Sequence, residues 1–132
     1  MDLQLSGKTA IVTGATAGIG LAIATTLARE GVSVTITGRS GDKLDAAVQR
    51  IAAAAPGSRV TAVVADQSSA EGAARLIEAQ PDADILVNNL GYYEAKPFAE
   101  ITDEDWLRMI EVNVMSGVRL SRHYFPRMLQ KN

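Results

Sequence analysis

The chain has no cysteine and one histidine, His123, in 132 residues. Without thiols there is no disulfide framework, no thiolate nucleophile and no thiolate zinc site, and a lone imidazole leaves little for a metal, so no metal is expected. A strong charge of one sign is missing too. The 13 Lys and Arg against 15 Asp and Glu leave a net charge of -2, which gives no chain-wide electrostatic footprint for nucleic acid, and no nucleic-acid partner is expected. No apolar run approaches the ~20 residues that a membrane span requires. Residues 1–8 also lack a basic segment followed by an apolar one, so neither a membrane partner nor export is expected, and the expected location is cytoplasmic. What is present is a hydrophobic fraction of 47% and a charged fraction of 21%, the content of one globular domain with its own core.

Strand-like and helical hydrophobic periods alternate along the chain, which predicts an α/β fold with a doubly wound parallel sheet. Thr9-Ala10-Ile11-Val12 is a buried strand. Residues 19–30 follow as a helix with Ile19, Ile23 and Leu27 on one face, and Gly31 is placed to end it in a left-handed conformation. Residues 32–37 form a β-branched strand, and residues 42–54 carry helical spacing through Leu44, Val48 and Ile51 until Pro56-Gly57 breaks it. A third strand at 60–65 ends at Asp66, a short helix spans 70–79, and a fourth strand covers 84–87. Thr102 with Asp105 three positions on resembles a capping box. It opens a helix that carries Trp106, Ile110 and Val114 toward Leu129, with Pro126 expected to kink or end it.

The stretch Thr13-Gly14-Ala15-Thr16-Ala17-Gly18-Ile19-Gly20 joins the first strand to the first helix through three glycines. A helix amino terminus presents unpaired N–H groups and the positive end of the peptide dipole, so a pyrophosphate can be held there without a cationic side chain. Glycine is needed where the main chain itself approaches the ligand. A tight turn and nothing more is the other reading of an isolated glycine trio. Here the trio follows a buried strand, opens a helix and begins a βαβ unit, which favours a nucleotide site. The missing Gly-Lys-Ser/Thr ending argues against a phosphate-cleaving loop.

The spacing is Thr-Gly-x-x-x-Gly-x-Gly; Asp66 follows the third strand, Asn88-Asn89-Leu90-Gly91 the fourth, and Asn113 lies in Glu111-Val112-Asn113-Val114. On these four ordered motifs the whole chain closely resembles the single-domain branch of the short-chain dehydrogenase/reductase family. The resemblance implies a Rossmann-like dinucleotide-binding domain, strand order 3-2-1-4, and hydride transfer between a nicotinamide and a carbonyl or secondary alcohol. It implies cofactor contacts at Thr13, Gly14, Thr16, Ala17, Gly18, Ile19 and Gly20 in the turn, and at Arg39, Asp66, Gln67, Asn89, Leu90 and Gly91 beyond it. Asp66 resembles the residue that meets the adenine amino group; Leu90 stands where relatives carry alanine. After the second strand an acidic residue would bond a ribose 2′-hydroxyl, whereas an arginine accommodates a 2′-phosphate. Gly38-Arg39-Ser40 stands there, so NADP(H) is expected over NAD(H).

Reduction of a carbonyl leaves charge on oxygen, which calls for a positioned proton donor. The family uses a serine, a Tyr-x-x-x-Lys and an asparagine on the preceding helix. Asn113 matches that asparagine, which in relatives bends the helix and holds a water in a proton relay, and it is the candidate catalytic residue. The other reading is a buried polar residue satisfied by main-chain groups. Tyr92 and Lys96 have the letter spacing of the catalytic pair but lie between Gly91 and Pro97 in a loop, and are rejected as that pair. The fourth strand would be a sheet edge in this order. Residues 1–132 are therefore expected to be the N-terminal part of one dinucleotide-binding domain, truncated after the fourth strand and its helix and inactive alone. Relatives assemble through this last helix and the next, so a homo-oligomer, dimer or tetramer, is expected of the full protein, with core packing against the sheet as the other use of its apolar residues. Gly117 is expected to permit close helix approach, and His123 to lie at the surface. The competing class is a nucleotide-binding module without catalysis; a flavin or adenosyl-methionine site is disfavoured by the glycine spacing and by Asn88-Asn89.

Overall fold

A computed structural model describes residues 1–131. Strands β1 (Thr9–Thr13), β2 (Ser33–Gly38), β3 (Val60–Val64) and β4 (Ile85–Val87) form one parallel sheet in the order β3-β2-β1-β4. Between them run helices α1 (Gly18–Arg29), α2 (Gly41–Ala54) and α3 (Ala70–Ala79), and α4 (Asp103–Ile110) and α5 (Ser116–Gln130) follow β4. The expected doubly wound order and the elements are present, with ends shifted by a residue or two.

Each face of the sheet has its own core, because successive strand residues point to opposite sides. On one face Ala10, Val12, Val34 and Ile36 pack with Leu21, Ala24 and Ala28 of α1 and Leu44, Ala47 and Ile51 of α2. On the other, Ile11 meets Ala73 and Leu76 of α3 and Leu120 and Tyr124 of α5. β1 is the hub. Gly31 ends α1 at φ 80°, in the left-handed region expected of it.

Two expectations are corrected, those for Ile19 and for Pro126 as a helix end. Ile19 does not join the α1 core face: it is 75% exposed, and Gly20, Leu21, Ala24 and Ala28 are buried instead, with Ile23 and Leu27 at the margin. Small residues win that face because they let the helix axis approach the sheet. Pro126 does not end the last helix, which runs to Gln130. The turns flanking it are pinned to the segment before β4: Tyr124 donates from its hydroxyl to the Gln80 carbonyl, His123 Nε2 lies 2.9 Å from the Pro81 carbonyl, and Arg127 pairs with Asp82 at 2.8 Å. These contacts offset the hydrogen bond that proline removes. Burial pushes the Tyr124 phenol up to about 12, so it remains a donor there. Gly117 lies against the Asn88 side chain rather than another helix. Finally, Trp106, Ile110 and Val114 do not pack on the sheet; each is about half exposed, and Leu120 and Tyr124 make that contact.

No helix among the described residues is long and apolar enough to cross a membrane.

Candidate functional site

The glycine turn lies at the carboxyl end of β1, where an open α/β sheet places its crevice. Gly14 and Gly18 have φ of 60° and 57°, the left-handed region that favours glycine. A Cβ on Gly18 would meet nothing within 4 Å, so its main chain borders open space. Gly20 is glycine for the opposite reason: a Cβ there would overlap Asn89 Nδ2 and the Gly14 carbonyl oxygen. Ser40, Ser69 and Thr102 cap α2, α3 and α4 with their side chains, whereas Ala17 before α1 has none to offer. The first N–H groups of α1 therefore face the crevice without a side-chain acceptor.

The segment after β4 is tied to this turn. Thr13 Oγ1 accepts from the N–H groups of Asn89 at 3.0 Å and Leu90 at 3.1 Å, and Asn89 Nδ2 donates to the Gly14 carbonyl at 3.0 Å. Thr13, expected among the cofactor contacts, uses its side chain in these bonds. The residue is 1% exposed and its hydroxyl is spent joining β1 to the β4 loop. Thr16 lies beside the end of β2, its Cγ2 3.1 Å from where a Cβ on Gly38 would stand.

Arg39, Asp66, Leu90 and Gly91 come together around one cavity of about 270 Å³, which Ser68, Tyr92, Arg108, Glu111 and Val112 complete. Asp66 Oδ1 accepts from the Ser68 hydroxyl at 2.6 Å and the Ser68 N–H at 3.0 Å. The hydroxyl bond is the main reason its carboxyl sits below the ordinary value; partial burial opposes it, and the Ser68 N–H and the Arg39 charge add to it. Gln67 is expected among the cofactor contacts. Its side chain is 3% exposed and points inward, donating to Thr37 Oγ1 at 3.3 Å and to the Gly72 carbonyl at 3.2 Å, which leaves only its main chain to meet a ligand.

Asn113 is at the centre of a π-helical turn, Glu111–Met115, that joins α4 to α5. Such turns widen a helix locally and free main-chain groups. The Tyr92 N–H donates to Asn113 Oδ1 at 2.9 Å, while Asn113 Nδ2 donates to the Tyr92 carbonyl at 2.8 Å and the Met109 carbonyl at 3.0 Å. Asn113 is exposed, not buried, so the main chain orients it in the open.

Tyr92 and Lys96 lie outside any helix, as expected. The Tyr92 hydroxyl donates to Glu94 at 2.6 Å, and Lys96 Nζ pairs with Glu94 at 3.3 Å and Asp105 at 3.0 Å. Sequence reasoning missed Arg108, whose guanidinium lies 4.2 Å from the centroid of the Tyr92 ring, and also Ser68, Glu111 and Val112 as cavity walls. The helical spacing of Arg108, Glu111 and Val112 was a usable signal, since residues three and four apart share a face.

The model of the family described as short chain dehydrogenase matches residues 8–132. The chain belongs to that family. Similar proteins include the uncharacterized oxidoreductase YvaG of Bacillus subtilis, 44% identical over 131 residues that make up 99% of this chain and 50% of the relative. Among solved structures, L-sorbose reductase from Gluconobacter frateurii, complexed with NADPH and L-sorbose, superposes with a TM-score of 0.92 at 38% identity, covering 99% of this chain and 51% of the other. A metagenomic short-chain oxidoreductase in complex with NADP gives a TM-score of 0.84 at 34% identity, over 96% of this chain and 59% of that one. This short-chain dehydrogenase chain thus spans about half the length of the curated relatives it matches.

Proposed function

We propose that the protein is an NADP(H)-dependent oxidoreductase that interconverts a carbonyl and a secondary alcohol, and that this chain is the N-terminal part of its dinucleotide-binding domain. One observation carries the reading: the uncapped amino end of α1, open at Gly18, is packed through Gly14 against Leu90, which lines one cavity with Arg39 and Asp66.

The residues fit a phosphorylated dinucleotide. N–H groups of Gly18, Ile19 and Gly20 supply donors for bridging phosphates, and exposed Ile19 supplies an apolar cover beside them. The Asp66 carboxylate, ionised at neutral pH, accepts from an adenine amino group, and the exposed Arg39 guanidinium meets a 2′-phosphate. Asn89, Leu90 and Gly91 wall the crevice toward the reacting end. Bound there, the nicotinamide supplies the hydride. Asn113, already oriented by Tyr92, holds a water for proton delivery. The family's serine and Tyr-x-x-x-Lys belong, in this reading, to the part of the relatives' length that the chain does not span. Two solved neighbours that carry NADPH or NADP support the cofactor. The exposed apolar face of Trp106, Leu107, Ile110 and Val114 supports assembly of copies along α4 and the turn after it.

The test is cofactor binding by the full natural protein, followed by NADPH consumption with a panel of ketones and ketoses. Binding with turnover supports the reading. Binding without turnover of any carbonyl points to the non-catalytic module, and no binding removes both.

A further inference from the structure

A chain of polar contacts runs from the N-terminal cap of α4 to Asn113. Asp105 closes the capping box with Thr102: the Thr102 N–H donates to Asp105 Oδ2 at 3.0 Å, and the Asp105 N–H donates to Thr102 Oγ1 at 3.1 Å. Lys96 Nζ donates to both Asp105 oxygens, at 3.1 and 3.0 Å, and reaches Glu94 at 3.3 Å. Glu94 accepts from the Tyr92 hydroxyl at 2.6 Å. The Tyr92 main chain then pairs with the Asn113 amide in both directions. Residues 91–97 have no regular secondary structure, so no sheet or helix ladder fixes the Tyr92 backbone. Side-chain contacts must do it.

We propose that Lys96 is a positioning residue for the reaction, locking the loop after β4 onto the α4 cap so that Tyr92 holds Asn113 in its working orientation. The inference rests on the role given to Asn113 above. Lys96 touches neither Asn113 nor the glycine turn; it acts through Glu94 and Tyr92. Its two partners are both carboxylates, one on the loop and one on the helix, which is the arrangement of a clamp and not of a free cation awaiting an anionic substrate. Because misplacement of a reacting group by a fraction of a bond length is felt mainly in the chemical step, the loss belongs in kcat.

The experiment uses the full natural protein and the ketone it reduces fastest from the panel, with four variants: Asn113→Ala, Lys96→Met, Lys96→Arg and Glu94→Ala. Lys96→Met and Glu94→Ala are expected to lower kcat about tenfold, with the dissociation constant for NADPH kept within about twofold, and Lys96→Arg to recover most of the loss. Hydrogen exchange at the Tyr92 amide, which Asn113 Oδ1 protects, is expected to quicken in Lys96→Met and Glu94→Ala. If Asn113→Ala lowers kcat while Lys96→Met and Glu94→Ala leave both kcat and Tyr92 exchange unchanged, the clamp is overturned and the role of Asn113 stands. If Asn113→Ala leaves kcat unchanged, the role of Asn113 falls, and the clamp with it. Glu94 is exposed, so its variant reports on the clamp even if Lys96→Met folds poorly.

Discussion

Gly20 lies directly against Asn89: a Cβ at position 20 would overlap Asn89 Nδ2 and the Gly14 carbonyl oxygen while standing 3.0 Å from Ala15 Cα. The glycine turn and the loop after β4 are thereby one packed unit, and Asn89 holds it by donating to Gly14 at 3.0 Å. Gly20→Ala is expected to destabilise the protein by about 1–3 kcal/mol, the range of overpacking a close contact. Gly18→Ala meets open space and suffers from its φ of 57° instead. Its cost is expected at about 1–2 kcal/mol. Chemical denaturation of the two variants measures both.

Thr13 offers a cleaner hydrogen-bond test. Valine keeps its shape but leaves the Asn89 and Leu90 N–H groups without their acceptor. Thr13→Val is expected to cost about 1–3 kcal/mol, the desolvation penalty of an orphaned donor, and Thr13→Ser to cost less because the oxygen stays. Equal costs for the two would show that the hydroxyl does not carry the junction.

The proposed preference for NADP(H) rests on Arg39. Arg39→Ala is expected to weaken NADPH binding about tenfold, as loss of a charge-assisted bond to phosphate does, and to leave NADH little changed. A parallel loss for both cofactors would place Arg39 against adenine alone.

Stability should fall at low pH in a defined window. Asp84 directly precedes β4, and the Thr9 N–H donates to its Oδ2 at 2.9 Å and the Thr9 hydroxyl at 3.2 Å. The Thr9 N–H bond is the largest reason its carboxyl lies below the ordinary value; partial burial opposes, and the Thr9 hydroxyl, Lys131 and Lys8 add. A carboxyl depressed in the folded state stabilises above its unfolded value and loses that contribution as the pH falls through the folded one, which puts the loss below about pH 4. Asp66 and Asp82 are depressed likewise. Melting curves of the parent protein should fall steeply in that window, and those of Asp84→Asn less so.

Much of the fold was legible because its strands are continuous β-branched or apolar runs and its turns carry Gly31 and Pro56-Gly57. The face of α1 was not. Burial there is decided by size, through Gly20, Ala24 and Ala28, and an apolar-period argument puts Ile19 inwards. Pro126 does not end the helix because the contacts that carry it past the proline come from a segment some 40 residues earlier, Gln80 to Asp82. At the site, the glycines, Arg39, Asp66 and Asn113 are visible in sequence because their spacing is fixed by strand and helix ends. Thr13 and Gln67 turn inward for a reason that spacing does not encode: Thr13 accepts from two N–H groups of the loop after β4, and Gln67 donates to the Thr37 hydroxyl and to the Gly72 carbonyl of α3. The stack of Arg108 on Tyr92 joins a loop to a helix and has no local signature at all.

The exposed face of α4 has its own test. Leu107 is 65% exposed and Ile110 47%, and a charge at either should weaken an assembly built on that face. Leu107→Asp and Ile110→Asp are expected to shift the full natural protein toward monomer in sedimentation. An unchanged oligomer would move the interface elsewhere.

The nucleotide assignment is tested by calorimetric titration of the full natural protein with NADPH and, separately, with NADH. The proposed crevice predicts saturable binding of one dinucleotide per chain, with NADPH tighter by about tenfold, the worth of one charge-assisted contact at the 2′-phosphate. Absence of heat and of saturation with either nucleotide at millimolar concentration would overturn it.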